Sequence, residues 1–174
     1  SYNFGGGANT MAMNYWMLMN ALEYSTPKLV VVDCSTVAFE DKTVVEHPEV
    51  IHDGLDIFPL SRLKVESIKD LFEENDSLSS ETKILDFLWE FSIYHHRWND
   101  LGKKDFKREY TVEKGAQTLF SVADYMGDRS TGAIQSKVPE NNNGLKYLRR
   151  FIEECQRQGV ICLLTTIPYM ASSK

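Results

Sequence analysis

The chain has 174 residues, 43% of them hydrophobic and 25% charged, with a formal net charge of −6, the profile of one globular domain with a real core. That acidic balance argues against a nucleic-acid-binding surface, which needs clustered Lys and Arg to neutralise phosphates. The cysteines are Cys34, Cys155 and Cys162: an odd count with no zinc-type spacing indicates neither a disulfide framework nor a metal knuckle, and no apolar run approaches the length of a membrane span.

The sequence opens on Tyr2-Asn3-Phe4, an alternating start that runs into Gly5-Gly6-Gly7 and then Ala8-Asn9-Thr10. This reads as a β-strand that ends, turns sharply and launches a helix. Such a turn leaves backbone N–H groups at a helix N-terminus, where they can hold an anion or a developing oxyanion. The helix is expected over Met11 to Tyr24, with Met11, Tyr15, Leu18 and Leu22 at three- and four-residue steps. Asn9 or Thr10 caps it and Thr26-Pro27 ends it. Its methionines read as core filler.

Lys28 to Asp33 is the clearest strand. Its valine-rich run predicts burial on both faces, as in a parallel sheet, and strand, helix and strand in this order make a βαβ unit. Cys34 and Cys162, each in an apolar run, read as buried small hydrophobes. Ser35 to Gly54 is polar and aperiodic, a candidate active-site loop at the end of a strand. A second helix is expected over Pro59 to Glu74, with Leu60, Leu63, Ile68, Leu71 and Phe72 inward and Asp56 near its cap. A third is expected over Glu81 to Trp98, capped by Ser80. Gly102 to Tyr110 is charged and solvated. Gly115 to Tyr125 packs, as helix or strand, and Met126 to Asn143 reads as a loop. Gly144 to Gln158 is amphipathic: Leu145, Leu148, Ile152 and Cys155 face in, Arg149, Arg150, Glu153 and Glu154 face out, and Gly159 is the C′ residue. Val160 to Thr166 is the next buried parallel strand. The whole is one α/β domain over residues 1–174, with an elaboration at about 40–140 between the second and third strands.

Three side-chain groupings bear on chemistry. In Tyr94-His95-His96-Arg97-Trp98, two readings stand. His95, His96 and Arg97 contact an anionic or sugar substrate with Trp98 as a stacking platform, or they are cations suited to a helix C-terminus with Trp98 packed on the core. Adjacent histidines diverge on a helix, which argues against a shared metal. His47 and His52 lack any supporting Cys or carboxylate pattern for zinc. Gly127-Asp128-Arg129-Ser130 is a polar turn.

The order Tyr2-Asn3-Phe4-Gly5-Gly6-Gly7-Ala8-Asn9-Thr10, the Tyr15-Trp16 helix and Pro27 to Asp33 resembles SGNH/GDSL-type hydrolases, above all a bacterial branch related to cell-envelope and polysaccharide O-acetyltransferases. Tyr147 to Glu153 followed by Thr165-Thr166-Ile167-Pro168-Tyr169 is similar to that family's late helix and strand, and Tyr94 to Trp98 resembles a feature of the same branch. The resemblance implies an α/β three-layer sandwich with a flavodoxin-like parallel sheet. It also implies serine-dependent ester hydrolysis or acyl transfer on a carbohydrate or small-molecule ester, without a cofactor or metal, in a membrane-anchored or extracytoplasmic setting.

In that family pattern the second block, Asn-x-Gly-x-x-Gly, maps onto Asn3, Gly5 and Ala8. The backbone N–H groups of Gly5, Gly7 and Ala8 are then the implied oxyanion donors, and Asn9 shapes their loop. Alanine replaces the block's last glycine, and Asp33-Cys34-Ser35-Thr36 stands where Gly-x-Asn-Asp is the rule. Neither Gly-Asp-Ser nor Asp-x-x-His occurs in the sequence. The expectation is an internal portion of a longer protein, inactive by itself, with an incomplete sheet whose open edge, beside the strand containing Asn3, serves self-association. The competing expectation is a non-catalytic α/β module that binds a glycan or a protein.

Overall fold

The computed structural model describes residues 2–4, 9–39, 54–73, 87–88, 102, 112–113, 116–117 and 140–166. The first helix, α1, spans Met11–Tyr24. Thr10 is its N-cap, with its hydroxyl accepting from Met13 N at 3.3 Å, so one of the orphan N–H groups of the first turn is satisfied. Ser25 closes the helix, its N–H donating to Ala21 O at 3.1 Å. The chain then turns through Pro27 into strand β1, Leu29–Asp33.

A 3₁₀ turn over Thr36–Phe39 follows β1. Helix α2 spans Arg62–Glu73. It begins three residues later than the sequence suggests. Pro59 and Leu60 belong to the approach, and the Ser61 hydroxyl, not Asp56, accepts from Lys64 N. Leu60 is accordingly exposed, while Leu63, Ile68, Leu71 and Phe72 are buried as expected. Phe87 and Leu88 are helical, and the Phe87 ring meets that of Phe72 edge-on at 4.8 Å. Short strands β2 (Val112–Glu113) and β3 (Ala116–Gln117) pair antiparallel, which resolves the start of the ambiguous stretch after Gly115 as strand.

Helix α3 spans Asn143–Arg157, capped by Asn142, whose side chain accepts from Leu145 N. Gly159 has φ 69°, the left-handed conformation that a C′ residue needs and that glycine adopts without a Cβ penalty. Strand β4, Ile161–Thr165, follows at once. It pairs in parallel with β1, in the register Leu29 with Ile161 through Asp33 with Thr165. The fold is therefore mixed α/β, with a parallel pair whose strands are each preceded by a helix.

The core lies between the helices and one face of this sheet. Met11, Met13, Trp16 and Met17 of α1 meet Ile68, Leu71 and Phe72 of α2, Tyr147, Phe151 and Cys155 of α3, and Val32 of β1. The methionines are core filler, as their density suggests. Asn20 is also buried, and its Oδ1 has no hydrogen-bond partner among the described residues.

Three expectations are corrected. Tyr2–Phe4 is not a strand: it is irregular, Tyr2 is exposed, and its ring packs on Phe4 at 4.9 Å. Nor are the apolar strands buried on both faces. Leu29, Val31, Ile161 and Leu163 are 49%, 56%, 67% and 49% exposed; by the period of two they share the face opposite Val30, Val32 and Cys162. The inner face of α3 is also rotated. Tyr147, Phe151, Glu154 and Cys155 are buried while Leu145, Leu148 and Ile152 are only half-buried, because aromatic rings rather than leucines fill the contact with α1.

Candidate functional site

In a parallel α/β sheet, loops that carry chemistry leave the C-terminal ends of the strands. Here those ends are Asp33-Cys34-Ser35 on β1 and Thr165-Thr166 on β4. They are tied together: Cys34 N donates to Thr165 O at 2.6 Å, and the Thr165 hydroxyl donates to Val32 O at 3.3 Å. The Asp33 carboxylate accepts from Ser35 N at 3.2 Å, which folds the exit of β1 back into the 3₁₀ turn. That turn rests on the start of α3. Asn142 Nδ2 donates to Phe39 O at 2.9 Å, and Gly144 approaches so closely that an added Cβ would lie 2.7 Å from Phe39 Cα. The N-terminus of α3 is thereby fixed at the same end as the strand exits. Helix α1 lies alongside α3, with Tyr15 facing Tyr147 at 6.1 Å, and also feeds a parallel strand through a short turn. Its N-cap, Thr10, belongs to that end too.

Of the residues expected to form the oxyanion loop or to contact substrate, Asn9 is the one among the described residues. Its side-chain amide sits against Met17 Sδ at 3.2 Å, which seats it on the first turns of α1 immediately before the cap. Gly5, Gly7 and Ala8 lie outside the described residues, as do His95, His96, Arg97 and Trp98, both loop histidines His47 and His52, and the turn at Gly127. No group of His, Cys, Asp and Glu among the described residues is arranged to hold a metal, and no described helix is long and apolar enough to cross a membrane.

The strongest polar constellation escaped the sequence reading. Asp70 of α2 accepts from Trp16 Nε1 at 2.7 Å, from the Tyr147 hydroxyl at 3.0 Å and from Arg150 at 3.0 Å. One carboxylate thus joins α1, α2 and α3. The Arg150 guanidinium lies over the rings of Tyr15 and Tyr147, at 4.3 and 4.8 Å from their centroids, so it is held by cation–π attraction as well as by charge. Its pKa is raised: burial acts against the charge, and Asp70 and Tyr15 outweigh it. Arg150 is therefore not an outward-facing residue of α3. The donors of Trp16, Tyr147 and Arg150 converge on this one carboxylate, which is the arrangement of a clamp between helices. Glu154, also expected outside, is buried; hydrogen bonds from Arg157, at 2.6 and 2.9 Å, and from Gln158, at 2.9 Å, lower its pKa against the opposing effect of burial.

All three cysteines are free. Cys155 is fully buried, whereas Cys34 and Cys162 are half-buried at the edge of the core and so fall short of the full burial their apolar neighbours suggest. Burial raises all three thiols, that of Cys155 to about 12. A nucleophilic thiolate at neutral pH is disfavoured at each. No protein-family model, no curated protein and no solved structure matches the chain.

Proposed function

We propose that the chain is a portion of an SGNH-type serine esterase, acyl hydrolase or carbohydrate O-acetyltransferase, acting outside the cytoplasm or at the membrane. In this reading β1 and β4 are neighbouring strands of a flavodoxin-like parallel sheet in a three-layer sandwich. The observation that carries the reading is the convergence at one end of the molecule. The exits of β1 and β4 lie side by side there, bonded Cys34 to Thr165, with the N-termini of α1 and α3 at the same end. A tetrahedral intermediate formed there would meet the backbone N–H groups of the glycine turn, since Gly5, Gly7 and Ala8 stand immediately before Asn9 and the α1 cap. Donors placed where charge develops lower the barrier because they need no reorganisation. The attacking serine, and the histidine and aspartate that activate it, would come from Gly-Asp-Ser and Asp-x-x-His blocks that this sequence does not contain.

Turnover of p-nitrophenyl acetate by the full-length protein tests the reading. Ala8→Pro removes one donor N–H and is expected to lower kcat by about 10²–10³-fold with little change in KM. An unchanged kcat, or a full-length protein with no turnover, overturns it.

A second reading is favoured by one contact. Ser35 stands where the third block has its Asn donor, and its N–H is already engaged by the Asp33 carboxylate, so the side-chain amide that would serve an oxyanion is missing there. A non-catalytic module that binds a glycan or a protein accommodates this directly. Saturable binding of an acetylated glycan in calorimetry, with the acetyl groups intact afterwards, would decide for it. Under either reading, the edges of β1 and β4 that pair with no strand among the described residues are the route for self-association, which light scattering across a concentration series would report.

A further inference from the structure

Two of the three thiols belong to one turn. Cys155 lies in the last turn of α3 and Cys162 is the second residue of β4. The connection between them is held rigidly. Val160 N donates to Cys155 O at 2.8 Å and Gly159 N to Gln156 O at 3.1 Å, while Gly159 supplies the left-handed residue of the helix end. Residue 162 is on the core-facing side of its strand, opposite Val30 in the register, so its side chain points back toward α3. The two thiols are therefore neighbours: Cys155 is buried in the core and Cys162 packs against that same cluster, and each acts on the other's titration. Cys34, by contrast, hangs beyond the end of β1, with its sulfur 4.0 Å from Val32 O.

We infer that Cys155 and Cys162 form a reversible intramolecular disulfide under hydroperoxide stress, a modification site that staples α3 to β4. The chemistry balances in two steps. The half-buried Cys162, as thiolate, attacks a hydroperoxide oxygen, giving the sulfenic acid and releasing water or an alcohol. The Cys155 sulfur then attacks the Cys162 sulfur. The S–S bond forms, the S–OH bond breaks, and hydroxide leaves as water with the Cys155 proton. The peroxide is reduced by two electrons and the two thiols are oxidised. Burial raises both thiols, so the reaction is slow at neutral pH and accelerates as the solution becomes alkaline. Placement, not acidity, selects the pair: a sulfenic acid at Cys162 faces the core in which Cys155 lies, across one tight turn.

The sequence makes the pairing easy to read. Trypsin cuts after Lys28, Lys42, Arg150 and Arg157, which places Cys34, Cys155 and Cys162 on three different peptides. The purified protein is treated with hydrogen peroxide, its remaining thiols are blocked with N-ethylmaleimide, and it is digested without reductant. The inference expects a monomer that, before blocking, is lighter by about 2 Da, the two thiol hydrogens. It also expects one cross-linked species joining residues 151–157 to 158–174, with Cys34 carrying the maleimide, and full reversal by dithiothreitol. Cys34→Ser is expected to give the same cross-link in the same yield. A cross-link to the Cys34 peptide, a disulfide-linked dimer, or sulfinic acid at Cys162 without any cross-link would each overturn it.

Discussion

Removing the Asp70 carboxylate tests how this small core holds together. Asp70→Ala takes the common acceptor away from Trp16, Tyr147 and Arg150. Hydrogen bonds to a charged group contribute about 1.5–3 kcal/mol each, and leaving their partners unsatisfied costs more than the bond itself. Solvent moderates this, because the side chains of Asp70 and Arg150 are 28% and 31% exposed and water can reach part of the vacated site. The three bonds also share one acceptor, so their contributions do not add. The expected loss is about 2–4 kcal/mol, a large share of the ~5–15 kcal/mol that stabilises a domain. It reads out in urea unfolding as a midpoint lowered by about 1–2 M. Asp70→Asn keeps an oxygen for Trp16 and Tyr147 but loses the ion pair, and is expected to cost about half as much. A double-mutant cycle with Arg150→Ala should give a coupling of at least about 1 kcal/mol. A loss below about 0.5 kcal/mol for Asp70→Ala, or no coupling, would refute the view that this carboxylate clamps α1, α2 and α3. Arg62→Ala is the control: its partner Glu66 is one turn away and the Arg62 side chain is 92% exposed, so no measurable change is expected.

Two glycines separate steric from conformational cost. At Gly144 an added Cβ meets Phe39 Cα at 2.7 Å and Ala38 O at 3.0 Å; this is backbone that cannot rotate away, so Gly144→Ala should cost about 1–3 kcal/mol in thermal unfolding. Gly159 has open space around it but φ 69°, so Gly159→Ala should cost only about 1 kcal/mol. The acid limb of stability should depend on Glu154. The hydrogen bond from Arg157 lowers its pKa below the ordinary 4.5, so its contribution is present above that value and is lost as pH falls through the lowered one. Glu154→Gln should therefore flatten the stability profile below about pH 4.5, and an unaltered acid limb would show that the contact with Arg157 carries none of it.

Local signals were legible wherever the chain signs its own boundaries. Thr10, Pro27 and the apolar spacing between them fix α1 as expected, Met11–Tyr24, and Gly159 ends α3 at the position its sequence context suggests. Continuous apolar runs, valine-rich in β1, mark that strand and its parallel partner β4. What failed depends on partners distant in sequence. A continuous apolar strand looks doubly buried, yet whether its second face is covered is decided by other layers, and Leu29, Val31, Ile161 and Leu163 face outward. Arginine on an amphipathic helix reads as solvent-facing by charge alone; Arg150 instead lies over Tyr15 and bonds a carboxylate 80 positions earlier. Nothing near Asp70 announces that role. The candidate site was legible only as a position in the fold, because the strand exits meet where the topology puts them while the glycine donors lie outside the described residues.

The proposed ester chemistry is tested most directly by covalent labelling of the full-length protein with a fluorophosphonate, followed by peptide mass analysis. The account predicts one labelled serine, in a Gly-Asp-Ser sequence outside these 174 residues, with esterase activity lost in proportion to labelling. A label on any serine within this chain, or a protein that neither labels nor turns over an acyl ester, would contradict it.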